Sequence, residues 1–144
     1  LWTSMPNDLA RREGALGQLH SDLIAPINRA GVPLLAGTDL PNPYVYPGFG
    51  LHDELGLLVH AGLTPVEALR TATINPARFL GLTDSLGVVA VGKVADLVLL
   101  DANPLRNIAN TKRIRAVIQG GKLLDRRALD GLVYGAKKLA ATAN

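Results

Sequence analysis

Asp39 has the most informative setting of any residue here that could do chemistry. It closes the stretch Gly31-Val32-Pro33-Leu34-Leu35-Ala36-Gly37-Thr38-Asp39, whose apolar run is too short for a helix and lies between glycines. A near-continuous apolar run is the pattern of a strand buried on both faces, in a parallel sheet flanked by helices. The chemistry of α/β folds sits just beyond the carboxyl ends of such strands. A carboxylate there can bind a metal ion, take a proton from water, or do both. Thr38-Asp39 is also ordinary turn chemistry, in which Asp39 only caps the bend that follows.

The next stretch, Leu40 to Gly50, holds Pro41, Pro43, Pro47, Gly48 and Gly50, which excludes regular structure. A loop placed directly after an acidic strand end is where an α/β enzyme builds a pocket wall. Tyr44, Tyr46 and Phe49 either line such a pocket or pack the loop against the body. Of the three histidines, His52 stands nearest this loop and is the candidate for substrate contact. His20 fits a partly buried surface position, and His60 fits a dipole partner in the last turn of its helix.

The elements that must position these groups follow from periodicity. Leu16, Leu19, Leu23 and Ile27 recur at helical spacing between about residues 8 and 30. Gly14, Gly17 and Pro26 predict a break or kink there, and Gly31 suits the position that stops the helix. Leu51 to Ala61 forms a second helix, with Asp53 and Glu54 favoured in its first turn by the macrodipole. Thr64-Pro65-Val66-Glu67 carries the residues of a capping box, and Asn75-Pro76 starts a short helix over Ala77 to Leu80, ended by Gly81. Leu86–Val91, Ala95–Leu100 and Arg115–Gln119 are predicted strands. Gly120-Gly121 is a hairpin signal joining Ile114–Gln119 to Lys122–Leu124. Pro104 to Ala109 is predicted as one or two helical turns. From Asp125 a last helix carries Leu129, Leu132, Val133 and Ala136 on one face, and Ala140 to Asn144 is expected to fray.

Composition sets the bounds. A chain of 144 residues that is 48% apolar can build a packed core and is not a disordered polymer. No apolar run approaches a membrane span. The absence of cysteine excludes disulfides and thiolate zinc sites but identifies no compartment. Residues 1–100 hold six basic and nine acidic side chains, and residues 101–144 hold nine basic and three acidic. The pairs Lys112-Arg113, Arg126-Arg127 and Lys137-Lys138 come without interleaved aromatics other than Tyr134, which argues against nucleic acid. They fit a solvated basic face or one that docks on an acidic surface. The first residue is Leu1 rather than Met, so a processed chain or a fragment is expected.

Several stretches together resemble the amidohydrolase superfamily of metal-dependent hydrolases, in its imidazolonepropionase-like and prolidase-like members. They are Gly31–Asp39, Leu51–Val59, Ala61–Leu69 and Ala72–Ala77, then Gly87, Val91–Asp101 and Asn103–Leu105, in an order and spacing that also match. The resemblance covers about residues 15–125. It implies an α/β fold made of the last strand and helices of a (β/α)8 barrel, plus C-terminal strands of a small β-sandwich. The expected divisions are residues 1–81 for barrel, 82–125 for sandwich strands and 126–144 for a C-terminal helix.

The resemblance further implies that Asp39 is a metal ligand and general acid/base, that the metal is divalent and usually zinc, and that the complete protein hydrolyses C–N bonds of cyclic amides or dipeptide-like substrates. His52, Tyr44 and Tyr46 are the substrate candidates. The family's other ligands, a His-x-His pair, a mid-barrel Lys or Glu and single histidines, have no match here. Three protein ligands are wanted at a catalytic zinc, so the isolated chain is expected to be inactive. A homo-oligomer or a partner chain is expected to cover the incomplete barrel, with no nucleic-acid or membrane partner. The alternatives are a non-catalytic structural or binding fragment and one half of a split hydrolase.

Overall fold

The computed structural model describes residues 21–39 and 48–142. The chain divides into two compact units, Leu1–Asn75 and Pro76–Asn144.

In the first unit, helix α1 occupies residues 21–29. Helical geometry runs through Pro26 without a break, and Gly14 and Gly17, the other positions where a break or kink was expected, lie outside the described residues. What ends α1 is Gly31. Its φ of 80° is the left-handed conformation that closes a helix, and the Gly31 and Val32 N–H groups donate back to Asn28 O and Ile27 O at 3.0 and 3.3 Å. These bonds satisfy carbonyls that the helix end would otherwise leave open.

Helix α2 spans Gly50–His60 and α3 spans Pro65–Thr71. The Thr64 capping box is formed in full, with Pro65 in the first turn. Leu55, Leu63, Ala68 and Thr71 are buried and make the core between these two helices. The Thr71 hydroxyl, burying with them, donates to Ala68 O at 2.7 Å, so no polar atom of it is left open. Helix α4, Ile74–Phe79, begins three residues before the expected Ala77.

The expectation of a strand buried on both faces over residues 31–39 is not met. Residues 32–39 carry no ladder partner among the described residues. Leu34, Ala36 and Thr38 are half-buried while the intervening residues are exposed, and Val32 and Leu35 are 52% and 42% accessible. The physical reason lies in the partners of the backbone. A buried parallel strand needs sheet neighbours, whereas here groups from the helical segment take the hydrogen-bonding positions. Ala36 N–H donates to Thr71 O at 3.0 Å, the Asn75 side-chain amide donates to Leu34 O at 2.9 Å, and Gly37 N–H donates to a Glu54 carboxylate oxygen at 2.9 Å.

The second unit holds a three-stranded antiparallel sheet in the order β1 (Leu97–Leu100), β2 (Ile114–Gln119), β3 (Lys122–Leu124). Gln119 faces Lys122 across the Gly120-Gly121 turn, and both glycines have positive φ, as a type I′ hairpin requires. The strand expected at Leu86–Val91 is absent. That segment bends through turns instead, with Leu86 N–H donating to Leu82 O and Val94 N–H to Ser85 O. The Lys93 ammonium holds the turn just before it by donating to Thr83 O and Asp84 O at 2.7 and 3.0 Å, and residues 86–91 carry no ladder partner among the described residues.

The helical turns expected over Pro104–Ala109 are displaced. A 3₁₀ helix covers Ile108–Lys112, capped by the Asn107 side chain, while Asn103 Oδ1 accepts from Leu105 N–H at 2.8 Å and forms a turn of its own. Ile108, Thr111, Ala116 and Ala77 are the buried residues of this unit. Helix α5, Arg126–Thr142, has no buried residue; of the apolar face expected on it, Leu129 is half-buried and Leu132, Val133 and Ala136 are exposed. Arg126 anchors its start by donating to Ile114 O and pairing with Asp130 at 2.8 Å.

Candidate functional site

The site is built on the far end of the extended segment. Three helix-side groups hold residues 34–37, and the chain then turns at Asp39, whose φ is 50°. Asp39 is the single non-glycine residue with positive φ among the described residues. Asp and Asn tolerate this region better than other side chains, yet it still costs about 1 kcal/mol or more against ordinary backbone. Local strain of this kind concentrates where a side chain must be aimed. Asp39 is exposed and leads directly into residues 40–47.

Of the other sequence candidates, His52 is half-buried in the first turn of α2. Tyr44 and Tyr46 lie outside the described residues. Phe49 precedes α2 as its N-cap and is exposed.

Sequence reasoning missed Glu54. It reaches back from α2 across 17 residues to accept the Gly37 N–H, while its second carboxylate oxygen is buried with no hydrogen-bond partner among the described residues. Read in sequence, Glu54 is an acid in a helix's first turn, for which the macrodipole is sufficient reason. Its place immediately after the Asp39 loop was the available signal.

The chemistry of this donor set is limited. Asp39 can accept a proton and can offer a metal one or two oxygens. No group of three His, Cys, Asp or Glu that could hold a metal ion occurs among the described residues, and a catalytic zinc needs about three protein ligands. The described residues alone therefore do not fit a metal.

The family model described as the amidohydrolase family matches residues 9–124. The chain is 37% identical over 109 residues to an imidazolonepropionase of Geobacillus kaustophilus, covering 73% of this chain and 25% of that protein. It is 36% identical over 117 residues to adenine deaminase 2 of Agrobacterium fabrum, covering 77% of this chain and 19% of that one. A solved Xaa-Pro dipeptidase with methionine bound in its active site superposes with a TM-score of 0.70 at 27% identity, over 84% of this chain and 29% of that one. The chain thus spans about a quarter or less of the length of these curated relatives, which are hydrolases of carbon–nitrogen bonds. Helix α5 lies beyond the matched residues. On this match, which takes in Asp39, its clamps and the sheet of the second unit, the chain belongs to the amidohydrolase family.

Proposed function

We propose that the complete protein hydrolyses the C–N bond of a cyclic amide or a dipeptide-like substrate, with Asp39 as general acid/base. The observation that carries this reading is the left-handed turn at Asp39, reached from a segment whose backbone is held at residues 34, 36 and 37. A carboxylate fixed in this way can take the proton of a water attacking the carbonyl carbon. It then returns that proton to the nitrogen as the C–N bond breaks. His52, Tyr44 and Tyr46 are the residues assigned to substrate contact.

Amidohydrolases generally use divalent metals, and zinc is the metal assigned to the complete protein, with Asp39 as one ligand. The remaining donors have to come from outside the described residues, whether from the same polypeptide or from a partner chain. Residues 1–81 are assigned to the end of a (β/α)8 barrel and residues 82–125 to a β-sandwich, with the C-terminal helix after them. A second copy or a complementary chain covers what this part of the barrel leaves open.

The test is an assay of the complete protein on Xaa-Pro dipeptides and cyclic amides, with Asp39→Asn beside the wild type. Loss of the acid/base group predicts turnover reduced about 100-fold or more, with the circular dichroism spectrum retained. Undiminished turnover by Asp39→Asn overturns the assignment.

A further inference from the structure

We infer that Glu54 is a positioning residue that fixes the orientation of Asp39, an inference that rests on the reading of Asp39 as the acid/base group. Gly37 is two residues from Asp39, and its N–H is held by the Glu54 carboxylate at 2.9 Å. N–H and C=O groups alternate edges along an extended chain. The bonds at Leu34 O and Ala36 N–H therefore restrain one edge, and Glu54 restrains the other at the last position before the turn. Without it, the Gly37 N–H would lose the bond that holds this second edge. Gly37 has no side chain of its own to pack, and a Cβ built there would meet nothing within 4 Å, so side-chain packing adds no restraint beside the hydrogen bond.

The choice of a carboxylate is itself informative. A bond to an ionised acceptor is stronger than one to a neutral amide. The second oxygen of Glu54 is buried without a hydrogen-bond partner among the described residues, a destabilising arrangement for folding alone. It makes sense where a firm hold on Gly37 matters more than that cost. Glu54 touches backbone rather than any reacting atom, so its action on the reaction passes through the direction in which Asp39 points.

Amide hydrogen exchange of the isotope-labelled 144-residue chain tests the hold directly. In Glu54→Ala the Gly37 amide is expected to exchange about tenfold or more faster, and the backbone resonances of Asp39 to move. The amides of Ala36, bonded to Thr71, and of Gly121, bonded to Ala95 in the other unit, should stay within about twofold of wild type. Glu54→Gln keeps an acceptor oxygen and is expected to restore most of the Gly37 protection, short of wild type because a neutral acceptor bonds less strongly. Should Glu54→Ala not fold, a scalar coupling between the Gly37 nitrogen and the Glu54 carboxyl carbon in the wild-type chain reports the same bond, and its absence overturns the inference.

In the complete hydrolase, Glu54→Ala should lower kcat about tenfold with KM little changed, and Glu54→Gln should recover most of it. Unchanged Gly37 exchange in Glu54→Ala, or faster exchange with unchanged kcat, overturns the positioning role. Full activity of Asp39→Asn would instead remove the role of Asp39 while leaving the exchange result standing, so the two failures are distinguishable.

Discussion

At residue scale, the φ of 50° at Asp39 governs which substitution probes chemistry and which probes folding. Asn shares the tolerance of Asp for left-handed backbone, whereas a plain Cβ does not. Asp39→Asn is therefore expected to unfold at a urea midpoint close to wild type, while Asp39→Ala loses about 1 kcal/mol. A large loss in Asp39→Asn would show that the side chain serves the fold rather than the reaction. That this aspartate is a candidate was readable from the glycine-bounded apolar run that it closes. Its backbone conformation was not, because φ at a strand exit depends on where the next loop goes. Glu54 was unreadable for a related reason. An acid in a first helical turn already has a local explanation, and the contact to Gly37 arises only when two segments 17 residues apart meet.

At the scale of elements, caps and helix ends were the most legible features because their signals are local. Thr64, Pro65 and Glu67 formed the expected capping box. What the sequence did not reveal is that Glu67 also accepts from the Asn28 side chain at 2.8 Å, which ties α3 to α1. Hydrogen bonds from the Thr64 hydroxyl and N–H, then from Asn28, hold the Glu67 carboxyl below the usual carboxylate range. A group with a depressed folded value stabilises the fold above its unfolded value, and that contribution is lost as the pH falls through the folded one. Wild type should therefore lose stability relative to Glu67→Gln as the pH drops below about 4, read from urea midpoints at pH 7 and pH 3. Parallel midpoints at the two pH values would contradict the linkage. Gly62 closes α2 with φ 100°, and a Cβ there would sit 3.0 Å from the Ala25 Cβ on α1. Gly62→Ala is expected to destabilise the chain by about 1–3 kcal/mol, from left-handed strain and overpacking together. Strands were the poorest reading. Leu86–Val91 and Gly31–Asp39 have strand composition, but a strand exists only where a neighbour pairs with it. The helix groups that took the hydrogen bonds of residues 34–37 have no periodic signature, whereas the Gly120-Gly121 hairpin, whose neighbour is adjacent in sequence, was foreseen to the residue.

For the whole molecule, what matters is how much apolar surface the described residues leave uncovered. β1 and β3 form the two edges of the three-stranded sheet, and Val98 and Leu123 on them are 56% and 59% accessible. On α5, Leu132 and Leu139 are 63% and 72% accessible, although their helical spacing marks one face. Unpaired sheet edges and exposed apolar faces favour association. The proposed chemistry points the same way, since one carboxylate does not hold zinc tightly and the described residues provide no three-donor cluster. Native mass spectrometry of the purified 144-residue chain reports both properties at once. The expected species is a homo-oligomer, or a complex with a complementary chain, and zinc should accompany only a complex that brings further ligands. Turnover should follow the same division, absent from the isolated chain and present where the ligand set is completed. A zinc-loaded monomer with robust hydrolysis would refute this reading. It would require a full ligand set within this one chain, outside the residues that carry Asp39 and its clamps.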